Sequence, residues 1–124
     1  MRTRTKTLTD QELEIMKVVW ARQRATVRDV YEALLARRKV AYTTVMTMMG
    51  ILEKKGHLRR EQVDRAYVYR AARPQKRVVR EMVREFIDRV FNGSAEPLLM
   101  HLVEDRRLSP AELAEIRRLV EGQK

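Results

Sequence analysis

The chain has 124 residues, with 27 Lys+Arg against 17 Asp+Glu and a formal net charge of +10. That length admits one domain, or one small domain with an association segment, and 44% hydrophobic residues supply a packed core, which argues against global disorder. The absence of cysteine excludes a disulfide scaffold, thiolate zinc sites, iron–sulfur clusters and cysteine nucleophiles.

The opening stretch, MRTRTKTLTD, is basic and lacks the apolar core of a signal peptide. No apolar run approaches the roughly 20 residues that cross a bilayer, so a soluble, cytoplasmic protein is expected. Charge is unevenly placed. Residues 1–80 hold 20 Lys+Arg and 8 Asp+Glu, a net +12, whereas residues 81–124 hold 7 and 9, a net −2. Polyanion binding is thereby assigned to the first part and a different task to the second.

Three helix starts share one code. Thr9-Asp-Gln-Glu12, Thr26-Val-Arg-Asp29 and Ser109-Pro-Ala-Glu112 each set a hydroxyl three residues before a carboxylate, the spacing of a capping box. Leu8 with Leu13, and Leu108 with Leu113, flank the first and last boxes as hydrophobic staples. The first helix is expected over 9–22, with Leu13, Ile15, Met16, Val19 and Trp20 inward. A second covers 27–37 and packs Val27, Val30, Tyr31, Leu34 and Leu35. The third covers 42–55 and stops at Gly56. Two short strands, 58–63 and 66–71, then form a hairpin around Asp64-Arg65, a weaker turn than Asp-Gly. From Pro74 a long helix reaches Asn92 with Val78, Val79, Met82, Val83, Phe86, Ile87, Val90 and Phe91 as its apolar set. A fifth helix carries Leu98, Leu99, Leu102 and Val103, and a sixth Leu113, Ile116, Leu119 and Val120.

Three helices and a hairpin in a strongly basic segment are the order of a winged helix, whose third helix enters the major groove while the hairpin lies along the backbone. The fold class is therefore mostly α with a small β-hairpin. Residues 1–73 form a winged helix-turn-helix and residues 74–124 a helical dimerisation module. On the wheel of the third helix, Val45, Met48, Met49 and Leu52 share the core face. Thr43, Thr47, Gly50 and Lys54 share the opposite one, flanked by Thr44 and Met46. Small hydroxylated side chains suit close approach to base edges, since threonine offers a hydroxyl and a methyl. Gly50 costs about 1 kcal/mol of helix stability against alanine; it either permits close DNA approach or relieves a packing clash.

Arg59, Arg60, Arg65 and Arg70, interleaved with Tyr67 and Tyr69, supply phosphate contacts from the wing. Alternation along the strand places Arg59 and Arg60 on opposite faces, so not all four reach one ligand. Arg37, Arg38 and Lys39 form a further cluster before the third helix, read either as a solvated loop or as phosphate ligands. The last 50 residues lack an evident core of their own, which points to a second copy; the alternative, packing back onto the N-terminal domain, leaves too wide an apolar face. Val83, Phe86, Val90, Leu98, Leu99, Leu102, Leu113, Ile116 and Leu119 are the expected contact residues.

From Leu8 to Val120 the chain resembles the BlaI/MecI family of penicillinase repressors. The resemblance rests on Leu8-Thr9, Glu12-Leu13-Glu14-Ile15-Met16 and Trp20 in the first helix, Ala41-Tyr42-Thr43-Thr44-Val45-Met46-Thr47 in the third, and Leu52-Glu53-Lys54-Lys55-Gly56 at its end. It continues through Arg65-Ala66-Tyr67-Val68-Tyr69, Phe91-Asn92-Gly93-Ser94 and Leu108-Ser109 with Glu112-Leu113 and Ile116. It implies a homodimeric winged-helix repressor on a pseudo-palindromic operator, often with TACA/TGTA-like half-sites. The family's base-contacting positions fall here on Thr43, Thr44, Met46 and Thr47. For the penicillinase branch the resemblance also implies a membrane-bound β-lactam sensor that triggers proteolysis in the dimerisation region, at an Asn-Phe bond before a Val-Glu pair, which adds a membrane sensor-protease to the expected partners. Here His101-Leu102 precedes Val103-Glu104, so that cut site is not preserved. The cysteine cluster of the family's copper-responsive branch is absent.

Rival classes leave weaker traces. An enzyme lacks support, because His57 and His101 are the only histidines and no nucleophile arrangement, HExxH or phosphate loop accompanies them. His57 is expected in a turn or at a strand edge, with a phosphate contact as the alternative. His101 reads as an interface histidine, with Asp105 its one conceivable metal partner. No cofactor and no metal are expected. A sequence-tolerant architectural protein shares the charge but not the uncharged third-helix face. A ligand-responsive winged-helix regulator would need a polar-lined pocket at its dimer interface.

Overall fold

The computed structural model describes residues 7–121. Its elements are α1 (Asp10–Arg22), α2 (Val27–Leu35), α3 (Tyr42–Lys54), β1 (Leu58–Val63), β2 (Ala66–Ala71), α4 (Gln75–Phe91), α5 (Glu96–Glu104) and α6 (Pro110–Glu121). The mostly helical class with one antiparallel hairpin is as expected, and both strand spans agree to the residue. α2 ends two residues early. The Arg37 and Arg38 amides both turn back to the Leu34 carbonyl, at 2.9 and 3.0 Å, and close its last turn.

All three capping boxes form. Thr9 accepts from the Glu12 amide at 3.1 Å while the Glu12 carboxylate accepts from the Thr9 amide at 3.0 Å. Thr26 with Asp29, and Ser109 with Glu112, repeat the reciprocal pair. Each box satisfies two amides that the helix itself leaves without acceptors. α3 ends with the left-handed Gly56 at φ 87°. There the His57 amide reaches the Leu52 carbonyl and the Gly56 amide the Glu53 carbonyl, the two bonds of a Schellman ending. This geometry aims the chain from the end of α3 directly into β1.

The chain divides into two compact units, one running to Met82 and the other starting at Val83. The first has a continuous core. Ile15, Met16 and Val19 of α1, Val30 and Leu34 of α2, and Val45, Met49 and Leu52 of α3 are all buried, with Leu58, Tyr69 and Val78 beside them. Met48, expected in that core, is half-buried and packs against it. The hairpin pairs Leu58 with Ala71 through Val63 with Ala66. A bridge that the sequence did not announce adds a third backbone segment: Ala25 and Tyr69 exchange hydrogen bonds at 3.0 and 2.8 Å. The α1–α2 loop thereby holds the wing's second strand.

The compact unit extends past Pro74 into α4, because Val78 is buried in the core and Met82 packs against it. The second unit is built differently. Among its described side chains none is buried, and Val83, Phe86, Val90, Met100, Ile116 and Leu119 are exposed.

Candidate nucleic-acid interface

α3 turns Val45, Met49 and Leu52 inward, so its other face is defined by subtraction. Thr43, Thr44, Met46, Thr47 and Lys54 are exposed, and Gly50 is half-exposed. Ile51 is also exposed, on the Thr44 and Thr47 side of the helix. The face carries two kinds of group, hydroxyl and methyl, and one cation at its end. Groups of this kind are able to contact base edges. A Cβ placed on Gly50 would meet nothing within 4 Å. The packing-clash reading of that glycine therefore falls, while the close-approach reading is left standing.

The wing sorts its cations by strand alternation. Arg60, Tyr67 and Tyr69 share the face that begins with buried Leu58, whereas Arg59 and Arg70 lie on the other. Arg60 is the most engaged of them. Its guanidinium stands 4.2 Å from the centroid of the Tyr67 ring and 3.6 Å from the Glu53 carboxylate of α3. A hydrogen bond to the Tyr69 hydroxyl, then the Glu53 charge, shift Arg60 further toward its charged form. On the outer face Arg70 pairs with Glu61 at 2.9 Å. Arg65 lies in the two-residue turn, where Asp64 takes a left-handed φ of 59°, a conformation aspartate tolerates better than most residues. Among the described residues Arg65 forms no ion pair, so its charge is uncommitted at the wing tip.

Other cations serve the scaffold. Arg38, from the cluster ahead of α3, binds Glu14 of α1 through two nitrogens at 2.8 and 3.2 Å. That pair holds the Glu14 carboxyl below its ordinary value, against a smaller upward push from burial. Arg37 and Lys39 remain exposed. Lys55, just after α3, donates to Glu12 at 2.8 Å and to the Thr7 carbonyl at 3.3 Å. Burial pushes the Glu12 carboxyl up, but the Lys55 and Thr9 hydrogen bonds outweigh it and leave the group below its ordinary value. The end of α3 is thus tied to the start of α1 by a mostly buried charge pair. The Trp20 indole donates to the Arg73 carbonyl at 3.3 Å, and Arg73 pairs with Glu81 at 2.6 Å. Glu12 shows in the sequence as a capping residue and Arg38 as part of a basic run, but their ion pairs, like that of Glu53, give no sequence signal, since the partners lie 43, 24 and 7 positions away.

His57 keeps its expected turn position and loses its alternative role. Its side chain is fully buried where α3 passes into β1, so a phosphate contact is excluded and the turn position stands. His101 is exposed on α5, 3.9 Å from Glu104, with its ring 6.0 Å from Phe91. Among the described residues no three His, Asp or Glu side chains gather as a metal site. No helix of the described chain is long and apolar enough to cross a membrane.

The second unit presents apolar faces in place of a polar site. Val83, Phe86 and Val90 continue a series that begins with Val79 of the first unit and repeats along α4 at alternating steps of four and three, the spacing of a helix–helix seam, and all four are exposed. Of the other expected contact residues, Leu98, Leu99, Leu102 and Leu113 are half-buried, and Ile116 and Leu119 exposed. Leu99, Leu113, Ile116 and Arg117 line a cavity of about 240 Å³. The Val120 side chain lies outside the described residues.

Known proteins resemble the chain along nearly its whole length. The pattern of the penicillinase repressor family matches residues 8–122. The "Penicillinase repressor" of Bacillus licheniformis is 27% identical over 117 residues, spanning 94% of this chain and 91% of that protein. The "Methicillin resistance regulatory protein MecI" of Staphylococcus aureus (strain N315) is 23% identical over 120 residues, 97% of this chain and 98% of the relative. The "Transcriptional regulator BlaI" of Mycobacterium tuberculosis (strain ATCC 25618 / H37Rv) is 39% identical over 99 residues, 78% of this chain and 72% of the relative.

Proposed function

The chain belongs to the penicillinase repressor family, and on that premise we propose that it is a homodimeric transcriptional repressor of a pseudo-palindromic operator. Residues 1–73 act as the DNA-binding domain and residues 74–124 as the dimerisation domain. α3 enters the major groove with Thr43, Thr44, Met46 and Thr47 toward base edges, Gly50 allowing close approach and Lys54 at its end. Arg65 at the wing tip, with Arg60, Tyr67 and Arg59 on the strands, meets the phosphate backbone. Two copies associate through the apolar faces of α4, α5 and α6, including Val83, Phe86 and Val90, and so present two wings and two recognition helices to one site.

One observation carries this reading. The exposed face of α3 is rich in threonine and bears no carboxylate from Thr43 to Lys54 outside the flanking Glu53, which Arg60 holds. A helix face selected only for solvation carries glutamate, lysine and glutamine; β-branched threonine is poor helix chemistry without a contact to make. The electrostatic distribution supports the same division of labour, with the net +12 confined to residues 1–80.

Derepression is proposed to act on the second unit, through a sensor-linked protease. The family's cut position falls on His101-Leu102, inside α5, whereas the stretches 92–95 and 105–109 lie between helices. Irregular exposed segments are the preferred substrates of proteases, so a cut in this chain is expected in one of those two.

A mobility-shift titration of the chain's own upstream region, competed with the same fragment scrambled, tests the reading. Preference for the native fragment is the expected result. Equal competition by the scrambled fragment favours the sequence-tolerant architectural protein.

A further inference from the structure

The N-terminal part of α2, the start of α3 and the inner face of the hairpin enclose an open groove of about 490 Å³. Its lining is of two kinds. Tyr42, Met46 and Tyr67 provide apolar wall, and Arg28 from α2 and Arg60 from β1 provide two guanidiniums on different elements. No carboxylate lines it. The end of α2 is not the charged feature here, because Thr26 and Asp29 close it with their own capping box. Both arginines are nonetheless held in the free protein. Arg28 pairs with Glu32 at 3.3 Å and Arg60 with Glu53 at 3.6 Å, and neither glutamate is among the groove's lining residues.

We propose that this groove seats the phosphodiester backbone of one DNA strand between Arg28 and Arg60, with Glu32 and Glu53 as the intramolecular counter-ions that the strand displaces. The inference rests on the DNA-binding reading and deepens it by naming the second wall of the backbone site. A nucleic-acid strand alternates anionic phosphate with less polar sugar, and the groove alternates guanidinium with aromatic and thioether surface. Arg60 stacked on Tyr67 is positioned before the ligand arrives, which lowers the ordering cost of the contact. The two glutamates set the other side of the balance. Each lowers the affinity for any backbone, so that binding energy depends more on what α3 reads.

Binding of the full chain to a random-sequence duplex, measured across salt concentrations, tests this without knowledge of the operator. Each phosphate contact contributes about 0.9 to the slope of log affinity against log salt. Arg28→Ala and Arg60→Ala are each expected to reduce the slope by about that amount, and Arg60→Lys to keep it. Glu53→Gln is expected to tighten random-duplex binding about 1.5- to 5-fold, the range of an exposed ion pair. That gain should vanish in an Arg60→Ala background. Unchanged slopes in both alanine variants, with wild-type binding intact, overturn the groove as the backbone seat. A Glu53→Gln gain that persists without Arg60 overturns the counter-ion role. Absence of wild-type binding to every duplex is a different failure: it removes the DNA reading itself, and the groove with it.

Discussion

The two halves of this chain are written with similar helices and reach opposite ends. In the described structure every fully buried apolar side chain lies between Leu8 and Val78, and none lies from Val83 to Leu119. The first unit closes on itself because three helices and a hairpin converge, so that each amphipathic face finds a partner within the chain. The second has three helix segments whose apolar faces remain in part uncovered, Phe86 and Val90 among them. A segment of about 40 residues rarely stabilises itself by its own core. The comparison therefore separates a unit whose core is complete in one copy from one whose apolar faces stay uncovered, which on the proposed function are a reader and the association module that a second copy completes.

The sharpest way to break the comparison is to damage each half and ask which property fails. Leu52 is fully buried beneath α3. Leu52→Ala is expected to cost about 2–5 kcal/mol of stability, read as a lower midpoint in urea unfolding followed by tryptophan fluorescence of Trp20. A loss under 1 kcal/mol would mean that the core is not organised around α3. Phe86→Asp places a charge on the exposed seam of α4 instead. On the dimer reading it weakens self-association by at least about a hundredfold, close to 3 kcal/mol. Sedimentation should then show monomers, with little change in the helical circular dichroism of the first unit. A dimer that survives Phe86→Asp would move the interface off α4.

The same contrast decides what was legible in the sequence. Capping boxes, the Gly56 stop and the two strands were readable because each depends on residues within about four positions of one another. The inward face of α3 was readable for the same reason, through helical period. Contacts that depend on tertiary closure were not. Nothing in the sequence around Lys55 names Glu12 as its partner, and nothing around Ala25 names Tyr69. The groove bounded by Arg28 and Arg60 brings together residues 32 positions apart, so neither arginine marks it alone. The hairpin's cation pattern was half legible: alternation separated Arg59 from Arg60, but only the fold showed which face is turned toward α3. His57 was legible as a turn residue but its burial was not, because burial of a polar ring follows from what packs over it and not from its neighbours in the chain.

A charge pair then tests how the first unit keeps α3 in place. The Glu12 side chain is 8% exposed and its partner Lys55 21%, so solvent screens them little. Lys55→Met keeps the aliphatic stem and removes the charge; a cost of about 1–3 kcal/mol is expected at neutral pH. The sign of its pH dependence follows from Glu12, whose carboxyl is lowered on folding. Such a group stabilises the folded state above its ordinary value of 4.5 and loses that contribution as pH falls through its lowered folded value. The gap between wild type and Lys55→Met should therefore narrow between neutral pH and pH ~3. Thermal unfolding at both pH values checks this, and a constant gap would assign the loss to packing of the stem.

The smallest expected effect carries the most information about what the first unit reads. Thr47 is exposed at the centre of the α3 face, with no acid beside it and half-exposed Gly50 one turn on. Losing one hydroxyl and one methyl costs about 1 kcal/mol of operator preference, the low end for a base contact. It should leave random-duplex affinity and the salt slope unchanged, because phosphate contacts are made elsewhere. The measurement is paired: affinity of Thr47→Ala for the site recovered by genome-wide mapping, and for a scrambled duplex, at one salt concentration. Equal losses on both would show that Thr47 acts on the backbone and that discrimination lies elsewhere. A loss on the mapped site alone gives the first unit a property that Phe86→Asp cannot produce. Monomers formed by that change keep the half-site preference of each α3 and lose only the gain from engaging two half-sites together.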